Sequence, residues 1–156
     1  MKYSTKVSDA VHILLFIYFN PGQGLSSAAI AKSICTNPSY VRQLMAAMKR
    51  EGLLNCMQGV AAPELARPIE EISLLDVYRA MEGRKPLLHL DTHTNPDCGV
   101  GVNIQHALQD CYDRVQFSAE AEMARIHLSD VAQTCCAHMR AVPADGQLPR
   151  SVRPGL

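Results

Sequence analysis

This chain has no C-x2-C pair. Its six cysteines, Cys35, Cys56, Cys98, Cys111, Cys135 and Cys136, therefore lack the spacing that most simply marks a zinc site. It also has no apolar run long enough to span a bilayer. The stretch from Val11 to Phe19 is too short, contains His12, and is followed by no small-residue cleavage pattern. A cytoplasmic protein that does not enter the membrane is expected, with its cysteines as reduced thiols or ligands rather than disulfides. Net charge is missing as well, with 15 Lys and Arg against 15 Asp and Glu, which excludes a bulk polycation. There is no phosphate loop, no nucleophile–base constellation and no pair of carboxylates in an apolar pocket. The run HLDTH gives His89 and His93 an H-x3-H spacing, but on a loop it lacks the helical register that makes such pairs informative. An enzyme is not expected.

What is present is a chain of 156 residues, 47% apolar, enough for one domain plus an oligomerisation element with a real core. Its charge is unevenly distributed. Residues 1–60 hold Lys2, Lys6, Lys32, Arg42, Lys49 and Arg50 against only Asp9 and Glu51, and the remainder is correspondingly acidic. A locally basic end on a neutral chain suits sequence-selective nucleic-acid binding.

The basic end contains the most structured stretch, LSSAAIAKSICTNPSYVRQLMAAMKREGLLNCMQG, from Leu25 to Gly59. Ser26 and Ser27 offer N-cap oxygens to a helix of about two turns with Ala29, Ile30 and Ile34 on its buried side. Asn37 caps a second helix, Pro38 suits its first position, and Gly52 fits a left-handed stop after Glu51. Within that helix Val41, Leu44, Met45 and Met48 form one apolar stripe, leaving Ser39, Arg42, Gln43, Ala46, Lys49 and Arg50 opposite. Arg and Gln make two-point contacts to guanine and adenine, each worth roughly 1–3 kcal/mol of discrimination. The bland alternative is an amphipathic helix with a solvated polar face. Leu53 to Met57 and Glu64 to Ala66 then read as a hairpin with its tip at Gln58 to Ala62, completing the outline of a winged helix-turn-helix.

Upstream, Ser4 or Thr5 caps a first helix that is apolar on more than one face and ends before Asn20-Pro21-Gly22. Lys2 and Lys6 at its start either reach phosphates or are simply solvated. Downstream, Ser73 with Asp76 gives a capping-box pattern ahead of a helix stopped by Gly83. A loop follows to about residue 100. From about Gly101 a helix of about 24 residues, about 36 Å long, carries a seam of Ile104, Leu108, Cys111, Val115, Ala119, Met123 and Ile126. That is longer than a small head can cover, so the seam is expected to meet a second copy, with packing on the first helix as the alternative. Ser129 and Asp130 start a last short helix to about Met139, and the Pro- and Gly-rich tail reads as disordered.

The segments SSAAIAKSICTNPSYVRQLMAAMKREGLLNCMQG, LARPIEEISLLDVYRAMEG and CGVGVNIQHALQDCY together resemble consecutive signatures of the Rrf-two family of bacterial transcription regulators, over about residues 1–132. The resemblance implies a mainly α fold with a small β wing. Its parts are a winged helix-turn-helix domain (1–83), a sensor-type loop (84–100), a dimerisation helix with a short C-terminal helix (101–140) and a tail (141–156). It also implies a homodimer, probing a palindromic operator on double-stranded DNA with two recognition helices about 34–36 Å apart, and repression. Candidate DNA contacts are Ser27, Asn37, Ser39, Tyr40, Arg42, Gln43, Lys49 and Gln58, with Tyr40 either touching phosphate or bracing the turn. The expected dimer interface is Ile104, Leu108, Cys111, Val115 and Met123. The wing departs from the family pattern. Gln58 stands where an arginine is expected, Ala61 and Ala62 replace glycines, and Pro63 replaces an aromatic residue. A protein-interaction module that has lost DNA binding is therefore an alternative.

Iron-sulfur members of the family carry three cysteines in the loop and at the start of the long helix, some with a histidine one turn later. Here His106 falls on that histidine, Asn103 falls where the third cysteine is expected, and Cys98 lies close to the second. No cysteine between Cys56 and Cys98 supplies the first. Standard cluster ligation is not expected, and neither is any other cofactor. Cys98 has three readings. It is a redox-responsive thiol favoured by a helix start, or a ligand with Cys111, His12 or His106 and a carboxylate such as Asp9 in a mixed-ligand cluster across the dimer, or a residue that only packs. Cys35 and Cys56 are expected in the core, and the Cys135–Cys136 pair to be idle.

Overall fold

In the computed structural model, which describes residues 4–23, 25–55 and 62–141, six α-helices surround a two-stranded hairpin. They are α1 (Lys6–Phe19), α2 (Ser27–Ser33), α3 (Pro38–Arg50), α4 (Leu74–Glu82), α5 (Gly99–Arg125) and α6 (Leu128–Ala141). The strands are β1 (Leu54–Asn55) and β2 (Glu64–Leu65). Gln58, Cys56, most of the wing tip and the tail beyond Ala141 lie outside the described residues.

Local chemistry sets most helix boundaries. Ser26 accepts the Ala29 amide and Asn37 accepts the Tyr40 amide at 2.8 Å, with Pro38 directly after as the first helical residue of α3. At α4 the capping box is complete: the Ser73 hydroxyl accepts the Asp76 amide at 3.1 Å, and the Asp76 carboxylate accepts the Ser73 amide at 2.9 Å. Both α2 and α3 end in the same way. The amide two residues past the C-cap bonds back five residues, Thr36 to Ala31 at 2.9 Å and Leu53 to Met48 at 2.9 Å. In each, the residue just after the cap is left-handed: Gly52 at φ 67° after α3, and Cys35 at φ 52° after α2.

That geometry corrects the expected place of Cys35. A left-handed residue at this position turns its side chain away from the helix it closes, and Cys35 is exposed rather than in the core. Ala29 is also exposed; Ile30 and Ala31 supply the buried side of α2.

The core lies between α1, α2, α3 and the start of α4, where Ile13, Leu14, Ile30, Val41, Met48, Leu53 and Val77 are fully buried. Each such side chain contributes about 1.5–3 kcal/mol of transfer free energy. Among the described residues the hairpin pairs Leu54 with Leu65 and Asn55 with Glu64, and Cys56 and Met57 of the expected first strand lie outside them.

The long helix begins at Gly99, two residues earlier than expected, and runs for 27 residues, about 40 Å. Among the described residues its main helix neighbour is α4, and none of its residues is buried. At its far end the backbone turns back on the head. Leu74 donates to the Ile126 carbonyl at 2.7 Å and Leu128 donates to the Ile72 carbonyl at 2.9 Å, on either side of a Ser73–His127 bridge. The last helix starts at Leu128, one residue before the expected Ser129, because Asp130 accepts the His127 amide at 2.9 Å and so marks His127 as the cap. Leu128 and Ala132 then join the head core. Among the described residues no helix is long and apolar enough to cross a membrane.

Candidate nucleic-acid interface

The two faces of α3 are cleanly divided. Val41, Leu44 and Met48 are buried and Met45 is half-buried, whereas Ser39, Arg42, Gln43, Ala46, Lys49 and Arg50 are exposed. The apolar stripe fixes the helix on the core, so the polar residues necessarily form one outward ridge.

Contacts from α1 and α2 orient this ridge. The Tyr40 hydroxyl donates to Asp9 Oδ2 on α1 at 3.0 Å, and Thr5 donates to the same oxygen at 3.1 Å. Tyr40 thus braces the turn, the second of the two roles open to it from sequence. Burial, then the hydrogen bond to Asp9, raises its phenol above the ordinary range. On the other side, Arg42 Nη1 donates to Ser27 Oγ at 3.0 Å, which joins two candidate contact residues and holds the guanidinium over the start of α2. Asn37 is occupied in capping through its carbonyl oxygen. Ser39 and Gln43 make no side-chain hydrogen bond among the described residues.

Sequence reading did not single out Asp9 as the anchor of the recognition helix. Its only signal there was that it is the one acidic residue among the first fifty. In this chain Asp9 is engaged with Tyr40 and Thr5, and His12 bonds to Ser33 Oγ at 3.0 Å.

At the other end of the molecule Cys98 is the N-cap of α5 and is exposed. Its sulfur makes no hydrogen bond of cap geometry. The first-turn amides of Gly101, the larger influence, and Val100 nevertheless hold its thiol below the ordinary range. The preceding loop packs closely here: a Cβ at Gly101 would come within 2.6 Å of the Asn95 carbonyl oxygen, so only glycine fits. Asn103, at the place of a family cysteine, donates to the Gly99 carbonyl at 2.7 Å. His106 and Cys111 are exposed farther along the helix, Cys111 about 20 Å from Cys98 along its axis. Among the described residues no three His, Cys, Asp or Glu side chains are gathered at metal-binding spacing. His89 and His93 lie on the exposed loop.

Of the expected interface residues on α5, Ile104, Cys111 and Val115 are exposed, while Leu108 and Met123 are half-buried. Val100, 71% exposed, extends the open apolar edge to the start of the helix.

Comparison with known proteins gives this arrangement its family. Residues 3–134 match Rrf2, described as an iron-dependent transcriptional regulator. The chain belongs to the Rrf2 family. The protein named "Putative HTH-type transcriptional regulator YwnA", from Bacillus subtilis (strain 168), is 36% identical over 128 residues, which cover 82% of this chain and 95% of that protein. The structure described as "Crystal structure of a putative DNA binding protein" superposes with a TM-score of 0.66 at 36% identity, covering 81% of this chain and 97% of the other. CymR, the global cysteine regulator of B. subtilis, shares the fold at a TM-score of 0.62 and 21% identity, covering 85% and 97%. This Rrf2 protein is a DNA-binding transcription regulator, and the family is one of regulators rather than enzymes.

The family description implies iron, and the residues of one chain do not supply the family's standard cysteine ligation of an iron-sulfur cluster. Cluster irons take thiolates on nearly every open position. Around Cys98 the family positions carry an amide in Asn103 and an imidazole in His106, and the next thiol along α5 is about 20 Å away.

Proposed function

We propose that this Rrf2 protein is a cytoplasmic repressor that binds a palindromic operator as a homodimer, with α3 in the major groove. The observation that carries the reading is the outward ridge of Ser39, Arg42 and Gln43, flanked by Lys49 and Arg50 and held by the Tyr40–Asp9 and Arg42–Ser27 bonds. Arg42 and Gln43 have the donors and acceptors to read base edges, and Lys49 and Arg50 the charge to meet phosphate. Dimerisation is supported by α5, about 40 Å long, whose edge of Val100, Ile104, Cys111 and Val115 has no cover among the described residues. A dimer seated over a promoter palindrome represses by excluding other proteins from it.

The same reading assigns Cys98 as a redox-responsive thiol without an iron-sulfur cluster. Exposure and the lowered thiol pKa at the start of α5 support this.

The test is a mobility-shift and fluorescence titration of the full chain on operators selected from random duplexes. Selection is expected to yield a two-fold symmetric site one helical turn between half-site centres, with affinity falling steeply as salt rises. Selection of an asymmetric site, or none, would overturn the proposal.

A further inference from the structure

A cavity of about 640 Å³ opens where the C-terminal end of α3 meets α4, the loop after it and α5. Glu51, Arg79, Gly83, Arg84, Gln116 and Glu120 line it. That volume is in the range of small-molecule sites.

One wall is already satisfied internally. Gln116 accepts the Leu87 amide at 2.8 Å and donates to Glu120 Oε1 at 2.6 Å, and Arg79 pairs with Glu120 Oε2 at 3.0 Å. Two charges remain. The Glu51 carboxylate and the Arg84 guanidinium make no side-chain hydrogen bond or ion pair among the described residues, with each other included. The lining is neutral overall yet leaves one positive and one negative group unmatched. A simple anion would satisfy Arg84 and bring a second negative charge toward Glu51. A molecule with both charges matches both.

We propose that this cavity is an effector site for a small zwitterion with a free carboxylate and a free ammonium group, the chemistry shared by α-amino acids and short peptides. The carboxylate meets Arg84 and the ammonium meets Glu51. Gly83, left-handed at φ 66° and without a side chain, leaves room beside Arg84. The placement gives such a ligand leverage on DNA binding. Glu51 is the C-cap of α3, Arg84 directly follows Gly83 at the end of α4, and Gln116 and Glu120 belong to α5, so an occupant ties the end of the DNA-reading helix to the spine. This inference rests on the reading of α3 as the DNA-contacting element. By linkage, a zwitterion that changes operator affinity has its own affinity changed by the same factor when operator is bound.

The experiment is isothermal titration of the full chain with two panels, the twenty proteinogenic amino acids and a set of dipeptides, each beside its N-acetylated and C-amidated forms. Operator affinity is measured in parallel with and without each compound. At least one free zwitterion is expected to bind saturably, at least tenfold more tightly than either blocked form, with at least tenfold loss in both R84A and E51Q. The panel that binds identifies the source, and its member should shift operator affinity severalfold. Absence of saturable binding in both panels, or binding undiminished in both variants, would overturn the proposal. So would equal binding of the N-acetylated forms, which would mark a plain anion site at Arg84. Zwitterion binding by a protein that binds no operator would retain the site and place the failure in the DNA reading.

Discussion

Arg42 is aimed before any DNA arrives. Its bond to Ser27 at 3.0 Å restrains a long side chain that would otherwise sample many rotamers, so less ordering entropy is lost on contact. Replacing Arg42 by Ala is therefore expected to relax discrimination at one operator position by about 1–3 kcal/mol, read by competition among single-base-pair variants of the site. An equal loss on specific and random duplexes would reject Arg42 as a base reader. At Cys98 the first-turn amides favour the thiolate, and alkylation follows the thiolate fraction, so its rate should rise at lower pH than that of a free model thiol. Peptide mapping after timed iodoacetamide pulses across pH 5–9 checks this (about pH 8.5 for an ordinary thiol); a Cys98 profile that matches the free model thiol would dismiss a special role for it. Residue identities were legible where the chemistry is local, as with the Asn37 cap. They were illegible where orientation depends on one backbone angle. Cys35 looked like core because Ile34 and an apolar helix precede it, and only its left-handed φ shows that it faces solvent.

Helices α2 and α3 end in the same hydrogen-bond pattern, which makes their closing residues comparable. Gly52 adopts the left-handed angle without steric cost, while Cys35 brings a Cβ into the same conformation, a cost on the order of 1 kcal/mol. Cys35→Gly is expected to stabilise the fold by up to about 1 kcal/mol, less whatever the added freedom of the unfolded chain takes back, with a higher urea midpoint at unchanged slope. A lower midpoint would show that the thiol contributes packing that the exposed position conceals. At this scale the sequence was most informative about starts and stops, since caps, Pro38, Gly52 and Gly83 act over three or four residues. It was least informative about the hairpin, where pairing across the gap from Asn55 to Glu64 decides how many residues count as strand. It also missed the return of α6 to the head, since nothing near Leu128 announces a partner at Ile72.

For the whole molecule, the open edge of α5 is the feature that a solitary chain leaves unexplained. Ile104→Glu with Val115→Glu places two charges on that edge and leaves the head core untouched. The double variant is expected to sediment as a folded monomer, with helical content by circular dichroism close to the parent and operator affinity reduced at least a hundredfold through loss of the second half-site. A variant that stays dimeric would move the interface elsewhere on the chain. The apolar periodicity of α5 was readable in the sequence, but the exposure of each of its residues was not. Leu108 and Met123 are half-buried, on a helix whose Glu120 pairs with Arg79 of α4 and whose Gln105 bonds to Thr94 of the preceding loop. The two backbone hydrogen bonds at Ile126 and Leu128 give the molecule a fulcrum. With α5 extending about 40 Å from that point, a tilt of about 5° there carries its far tip, where Cys98 sits, through about 3.5 Å. A small push at the tip is thus geared down into a slight, high-force rotation against α4, whose other neighbours are α1 and α3.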